Sequence, residues 1–409
     1  MQTNRHQIST LMVAALLSLP FSAAESLGGF TQTDTWEVLY ENFDPAIIDI
    51  RSIAFFEGFL FAGTRGIPAK IMRYGIDGKG TWEMVVDDGF GDPENIDIDA
   101  MAVWNGFLYA GTGNPNQVEG PEIWRSSDGD TWEKVLDLAA WTDCGELYGG
   151  LEFQDRLYFG VDDHISGAVM WRSATGAMGT WEACSANGFG DHRNGRFYGM
   201  CVFAGQLYVG TSNYESGAEI WRTDDGTQWE CVMQGAFGIG GAYECLFTLV
   251  EFKSLLYAGV GDVYPAVYRS MDGENWELVD NIGFGDPSNL GVIAMGVAGD
   301  SLYAMLRNDT EGAQAWYTID GAQWHCSATG GFGCSGSYMC PYMTMTAGSQ
   351  IYAACGYAAI LRAPIRQPAV PASSFTGVCL CLAVLSLLLA GITRQRRHGS
   401  PAGIVKPGR

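Results

Sequence analysis

Seven tryptophans, Trp36, Trp82, Trp132, Trp181, Trp229, Trp276 and Trp324, recur 46, 50, 49, 48, 47 and 48 residues apart. A chain with a period of that length buries its apolar faces by stacking copies of one unit. Most of these tryptophans open a short β-prone segment, as in Trp132-Glu133-Lys134-Val135. A second element recurs between them: Leu60-Phe61, Leu108-Tyr109, Leu157-Tyr158, Leu207-Tyr208, Leu256-Tyr257, Leu302-Tyr303 and Ile351-Tyr352. A third places an aromatic or apolar residue before arginine: Met72-Arg73, Trp124-Arg125, Trp171-Arg172, Trp221-Arg222, Tyr268-Arg269 and Leu361-Arg362, with Trp316-Tyr317 departing. Each unit therefore carries four strand signals, a to d, which in the second unit run over 98–103, 107–111, 122–126 and 131–136. Four strands at this period match a propeller blade and exceed what a leucine-rich or ankyrin repeat needs.

The ends of the repeat set the blade count. Six complete units run between residues 51 and 326, and a seventh, from Tyr338 to Arg362, stops before its Trp strand. The chain opens with an orphan d strand, Thr35-Trp36-Glu37-Val38-Leu39. Pairing that orphan with the last three strands closes a ring and leaves no open sheet edge. The expected fold is all-β: a seven-bladed β-propeller over 25–365, closed by an N-terminal outer strand.

The c-to-d turns carry a further pattern. Ser126-Ser127-Asp128-Gly129-Asp130-Thr131-Trp132 is one copy, and turns at Asp225-Gly226, Asp272-Gly273 and Asp320-Gly321 repeat it. This resembles the Asp-box (BNR) hairpin of sialidases and many noncatalytic propellers, shortened by one residue. Asp can accept from its own turn backbone, Gly takes a positive φ, and Trp packs beneath the hairpin. The resemblance speaks to fold far more than to activity.

Both ends read as targeting segments. Residues 1–24 look like a secretory signal: Arg5 and His6, an apolar run from Leu11 to Leu19, then small Ser22-Ala23-Ala24 for cleavage. After a linker over 366–374, an apolar stretch over 375–393 is long enough for a transmembrane helix, since eighteen residues at ~1.5 Å rise span about 27 Å. Arg394, Arg396 and Arg397 open a basic tail over 394–409, which should stay cytoplasmic and leave the propeller outside. Pro368-Ala369-Val370-Pro371-Ala372 with this helix and Arg cluster resembles PEP-CTERM bacterial sorting signals. That resemblance implies a sorting transpeptidase as a partner and a bacterial cell surface as the address; a plain C-terminal membrane anchor is the alternative.

Charge narrows the partners. Lys+Arg number 23 against 46 Asp+Glu, which argues against nucleic acid because little could neutralise phosphates. Several basic residues lie in the two end segments, so the exported part is more acidic than the net charge of -23.

Function is sought among residues that break the repeat on the face carrying the b-to-c and d-to-a loops. The ligand-binding candidates are Arg65, Asn116, Trp141, Asp162, Asp163, His164, Arg193, Arg196, Asp262, Tyr264, Arg307 and Asp309. Trp141 is the one tryptophan of 13 outside the repeat register, so aromatic wealth elsewhere reads as blade packing, and the strand-c arginines read as a structural ladder. The d-to-a phrases Gly89-Phe90-Gly91-Asp92, Gly188-Phe189-Gly190-Asp191 and Gly283-Phe284-Gly285-Asp286 admit two readings, a packed turn or a structural divalent-cation loop. They lack the dense acidic spacing of Ca²⁺ loops, and no cofactor is expected. The 14-residue separations of Cys231/Cys245 and Cys326/Cys340 invite disulfides or, equally, burial as small apolar side chains. The leading function is noncatalytic binding of a protein or glycan over one face. The alternative is a sialidase-like glycan hydrolase or lyase, which needs converging arginines, a Tyr/Glu pair and an acid/base Asp; its Arg-Ile-Pro motif is missing.

Overall fold

Short β-prone segments joined by tight turns reverse the chain within each repeat, so neighbours in sequence become antiparallel neighbours in space. The computed structural model describes residues 35–366 apart from 42–43, 77–79, 115–119, 140–143, 239–242, 263–264, 280–281, 334–340 and 357. The expected signal segment, linker, transmembrane helix and basic tail lie outside the described residues. Among the described residues, no helix is long and apolar enough to cross a membrane.

The third unit shows the plan. Its strand a, Cys144–Phe153, pairs with b, Arg156–Asp163; b pairs with c, Val169–Ser173; c pairs with d, Trp181–Ala183. Strands a of the successive units are Ile47–Phe56, Asp97–Trp104, Cys144–Phe153, Arg196–Phe203, Tyr243–Phe252, Asn289–Ala298 and Pro341–Ala347. Neighbouring a strands pack side by side, and the first packs against the last, so they form an inner ring. Single backbone bridges, Arg65↔Asp97, Ser212↔Cys245 and Gly261↔Gly291, tie units together at one end of that ring.

The orphan strand closes the circle as expected. Glu37–Glu41 pairs antiparallel with Ala359–Pro364 and becomes the outer strand of the sheet begun by Pro341–Ala347. Trp36 Nε1 donates to Ser327 Oγ on one side (2.9 Å), while Trp82 Nε1 reaches back to the Leu39 carbonyl on the other (3.3 Å). The N-terminal strand therefore bonds to units at both ends of the repeat.

Repeat residues build the seams between units. The strand-b tyrosines Tyr109, Tyr158, Tyr208, Tyr257 and Tyr303 are fully buried. Strand-c arginines form the expected ladder: Arg172 Nη1 donates to the Asp225 and Gly226 carbonyls at 3.2 Å, and Arg269 Nη1 to the Gly321 carbonyl at 3.0 Å. Each of these reaches the c-to-d turn of the next unit. Within that turn Asp225 Oδ1 accepts from the Thr227 and Gln228 amides (both 2.7 Å), as the hairpin chemistry requires.

The d-to-a phrases are packed turns. Phe90 stacks on Trp124 at 4.6 Å and Phe189 on Trp221 at 4.7 Å. Asn95 Nδ2 and Asn194 Nδ2 each donate to the carbonyl of the Gly preceding that Phe, at 3.0 Å. The phenylalanines hold positive φ, 63° at Phe90 and 55° at Phe189. That conformation costs about 1–2 kcal/mol in a residue with a Cβ, and ring stacking against strand c offsets it. The disulfide reading is corrected: Cys231 and Cys326 are free thiols, so neither 14-residue pair is bridged. Cys231 Sγ lies 3.4 Å from the Met233 carbonyl. Cys231 lies on strand d of one unit and Cys245 on strand a of the next.

Candidate functional site

A strand alternates its side chains between two faces, and a bulge breaks that alternation by aiming one extra residue sideways. Strands a carry such a shift near their beginnings: between Ile50 and Ser52, Ile98 and Ala100, Phe197 and Met200, Leu246 and Thr248, Val292 and Ala294, and Pro341 and Met343. The residues inside these shifts include Arg51, Asp99, Tyr198, Phe247, Ile293 and Tyr342, and all six line one cavity of about 690 Å³. Glu146 and Tyr148 join them from the third unit. Residues of every inner strand thus touch a single space, which places it on the axis of the ring.

The cavity has two halves. One is aromatic and apolar: Tyr148 meets Tyr198 edge-on at 4.8 Å, Tyr198 meets Phe247 at 5.4 Å, and Ile293 continues the wall. The other is charged. Arg51 Nε lies 3.6 Å from Asp99, 3.7 Å from Asp97 and 3.8 Å from Asp49, and its guanidinium sits 4.4 Å over the Tyr342 ring. Arg65 Nε approaches Asp97 at 3.6 Å. Arg196 spans Asp162 (3.4 Å), Glu146 (3.6 Å) and the Tyr198 hydroxyl (2.8 Å), while Tyr148 donates to Glu146. Arg307 is held by Asp309 through two bonds, 2.9 and 2.6 Å.

Burial makes these charges costly to alter. Asp97 and Asp99 side chains are 0% and 3% exposed. Burial, offset in part by Arg51 and Arg65, pushes the Asp97 carboxyl up to about 7. Burial and then the charges of Asp97 and Glu146 hold Asp99 well above the usual carboxylate range. Burial alone would lower Arg51, but Asp99, Tyr342 and Asp97 overcome it and hold its guanidinium above its ordinary value. Burial raises the Tyr148 phenol well above the normal range, with Tyr198 and Glu146 adding to it.

The twelve sequence candidates separate into distinct places. Arg65, Arg196, Arg307 and Asp309 line the cavity. Asp162 lies behind it, 1% exposed, accepting from the Gly145 amide at 2.9 Å and facing His164 at 3.4 Å. Asp163 closes a turn by accepting from the Ile165 and Ser166 amides. Arg193 pairs with Asp191 (2.7 Å) and Glu215 (3.4 Å) away from the cavity. Asn116, Trp141 and Tyr264 lie outside the described residues, and of Asp262 only the backbone, at the end of a strand b, is described. Sequence reasoning overlooked Asp49, Arg51, Asp97, Asp99, Glu146, Tyr148 and Tyr198 because it looked in loops. A signal was present: counting seven and five back from Phe56, Trp104, Phe153 and Phe203 lands on Asp49/Arg51, Asp97/Asp99, Glu146/Tyr148 and Arg196/Tyr198.

No family model matches the sequence, and no curated protein matches it. Solved structures do match by shape. YCF48 bound to a D1 peptide is similar with a TM-score of 0.56 at 15% identity, covering 83% of this chain and 98% of its own. A catalytically inactive virginiamycin B lyase from Staphylococcus aureus with quinupristin gives 0.58 at 9% identity, covering 81% and 100%. The WD40 propeller domain of Doa1 gives 0.55 at 8% identity, covering 82% and 98%. Together with the ring of four-stranded units, these likenesses show that the chain has a β-propeller fold.

Proposed function

We propose that this chain is a noncatalytic, seven-bladed propeller, exported and held at a bacterial membrane or surface by its C-terminal segment, that binds a protein partner at the axial cavity. The observation carrying this reading is the cavity itself, where Tyr148, Tyr198 and Phe247 face Arg51, Arg65 and Arg196 across one open space. Tyr and Arg are the residues that dominate protein-binding hot spots, and a mixed apolar and charged concavity accepts an inserted peptide. YCF48, a shape relative, is recorded with a bound peptide, which fits the same use of a propeller face.

The test is peptide display against the full-length chain, followed by equilibrium binding of the selected peptide. Tyr198→Ala should weaken binding at least about tenfold, the scale of a hot-spot truncation. Met271→Ala, at an exposed c-to-d turn, should leave it unchanged. Equal affinity for both variants would remove the cavity from the binding surface.

A second reading draws on one contact. The Tyr148 hydroxyl donates to Glu146 in a cavity lined by four arginines, and a sialidase-like hydrolase would use such parts. The noncatalytic reading is preferred because Arg196, Arg307 and Arg51 are each committed to protein carboxylates, which leaves no vacant trio for a substrate carboxylate. Turnover of a chromogenic sialoside, abolished by Tyr148→Phe, would reverse that preference.

A further inference from the structure

The charged half of the cavity does not balance. Five carboxylates, Asp49, Asp97, Asp99, Glu146 and Asp162, are interlinked with three guanidinium groups, those of Arg51, Arg65 and Arg196. Arg307 is held by Asp309 in a two-bond pair. His164 faces Asp162, 3.4 Å away. In this set the carboxylates outnumber the guanidinium groups by two. Crowding carboxylates in a buried setting is costly, and a bound cation would offset that cost.

Three of these carboxylates converge at one place. Asp97, Asp99 and Glu146 each offer a carboxylate oxygen, and the three lie within 4.8 Å of one another. Asp97 and Asp99 stand two residues apart on one inner strand, with Asp99 inside the bulge between Ile98 and Ala100. Glu146 enters from the next inner strand. Buried as they are, both oxygens of Asp97 and Oδ2 of Asp99 receive no hydrogen bond. The closest approaches of Arg51 and Arg65 fall on the Oδ1 atoms of Asp97 and Asp99, at 3.6–3.7 Å, beyond hydrogen-bonding reach. The Oδ2 atoms are turned elsewhere.

Gly113 lets them approach one another. A Cβ built there would lie 2.9 Å from Asp99 Oδ2, 2.8 Å from Asp97 Cβ and 3.2 Å from Glu146 Cγ. Glycine at this position therefore lets the three acidic side chains pack close to the neighbouring backbone.

We propose that Asp97, Asp99 and Glu146 form a binding site for one hard divalent cation of the Ca²⁺ or Mg²⁺ class, opening onto the axial cavity. Hard cations take oxygen ligands about 2.0–2.6 Å away and complete their shells with water; oxygens within 4.8 Å of each other can share such a centre. Two positive charges cancel the excess of the five carboxylates over the three arginines. The ion receives ligands from two adjacent inner strands, so it pins neighbouring units together at the cavity wall. The d-to-a loops, by contrast, are filled by their own Phe and Asn side chains.

The test uses the full-length chain, stripped with a chelator and dialysed separately against Ca²⁺, Mg²⁺ and Mn²⁺, with bound metal counted by elemental analysis and thermal unfolding followed in parallel. The wild type should bind one equivalent of at least one of these ions and melt higher with it, since a ligand that binds only the folded state stabilises it. Asp99→Asn, nearly the same shape, should weaken that binding more than about tenfold, the scale on which metal sites respond to altered ligation. Glu146→Gln serves the same purpose should Asp99→Asn fold poorly, and exposed Asp300→Asn should keep the wild-type equivalent. The proposal is overturned if the wild type binds no more of any ion than Asp99→Asn or Glu146→Gln does.

Discussion

At the residue scale, the same side-chain types serve opposite ends of this molecule. An aspartate in a c-to-d turn is bathed in backbone donors, whereas Asp97 has none. Hydrogen bonds from the Gln228 and Thr227 amides lower the Asp225 carboxyl to about 2. Its ionised form is thus favoured in the folded chain relative to an unfolded value near 3.9. The sign follows from linkage: this stabilisation is complete above about pH 4 and is lost as pH falls towards 2. Asp225→Asn should therefore lower the melting temperature at pH 7, and the gap to wild type should close by pH 2. A gap that stays constant over that range would mean the turn does not depend on the carboxylate.

Cysteines offer a second residue-scale check. Burial pushes the thiols of Cys184 and Cys201 up to about 12. A thiolate is the reactive form, so iodoacetamide at pH 8 should leave both unmodified in the folded chain and label both after unfolding. Labelling at the rate of a free cysteine in the folded state would contradict their burial.

At the scale of the element, the hairpins and the inner strands differ in how openly the sequence displays them. The c-to-d turn is written in local residue types, so it was legible. Gly273 holds φ +76°, and a Cβ there would lie 2.2 Å from the Tyr208 hydroxyl of the preceding unit. Gly285 holds φ +83° with nothing within 4 Å. Both changes to alanine carry the backbone strain, about 1–2 kcal/mol, but Gly273→Ala adds a clash of the size of core overpacking, about 1–3 kcal/mol. Chemical denaturation should rank Gly273→Ala well below Gly285→Ala, and equal losses would mean that the turn does not rest on the tyrosine. The inner strands were harder to read. Bulges interrupt period-two alternation, so Arg51, Asp99 and Tyr198 read as ordinary strand residues until pairing shows them aimed at the axis. Arg65, Arg196, Arg307 and Asp309 were legible as breaks in the repeat at the ends of strands, where repeat comparison works best.

At the scale of the whole molecule, the ring depends on its N-terminal strand. Trp36 packs edge-on against Tyr303 at 6.4 Å and Phe332 at 5.1 Å, besides its bond to Ser327. Trp36→Ala should cost roughly 2–4 kcal/mol, somewhat less than a fully buried aromatic truncation, and should loosen the first and last units together. Hydrogen exchange that rose only in Glu37–Glu41 would show the strand to be a passive flap. The period of the tryptophans announced this closure because register and chain ends are one-dimensional facts. The cavity could not be announced the same way, since it exists only where strands from distant repeats meet.

That convergence is the central claim, and hydrogen exchange of the full-length chain with a display-selected peptide tests it most directly. Protection is predicted at the beginnings of Asp97–Trp104, Cys144–Phe153 and Arg196–Phe203, around the axial cavity. Protection confined to the c-to-d hairpins at the rim, with these inner strands unchanged, would contradict it.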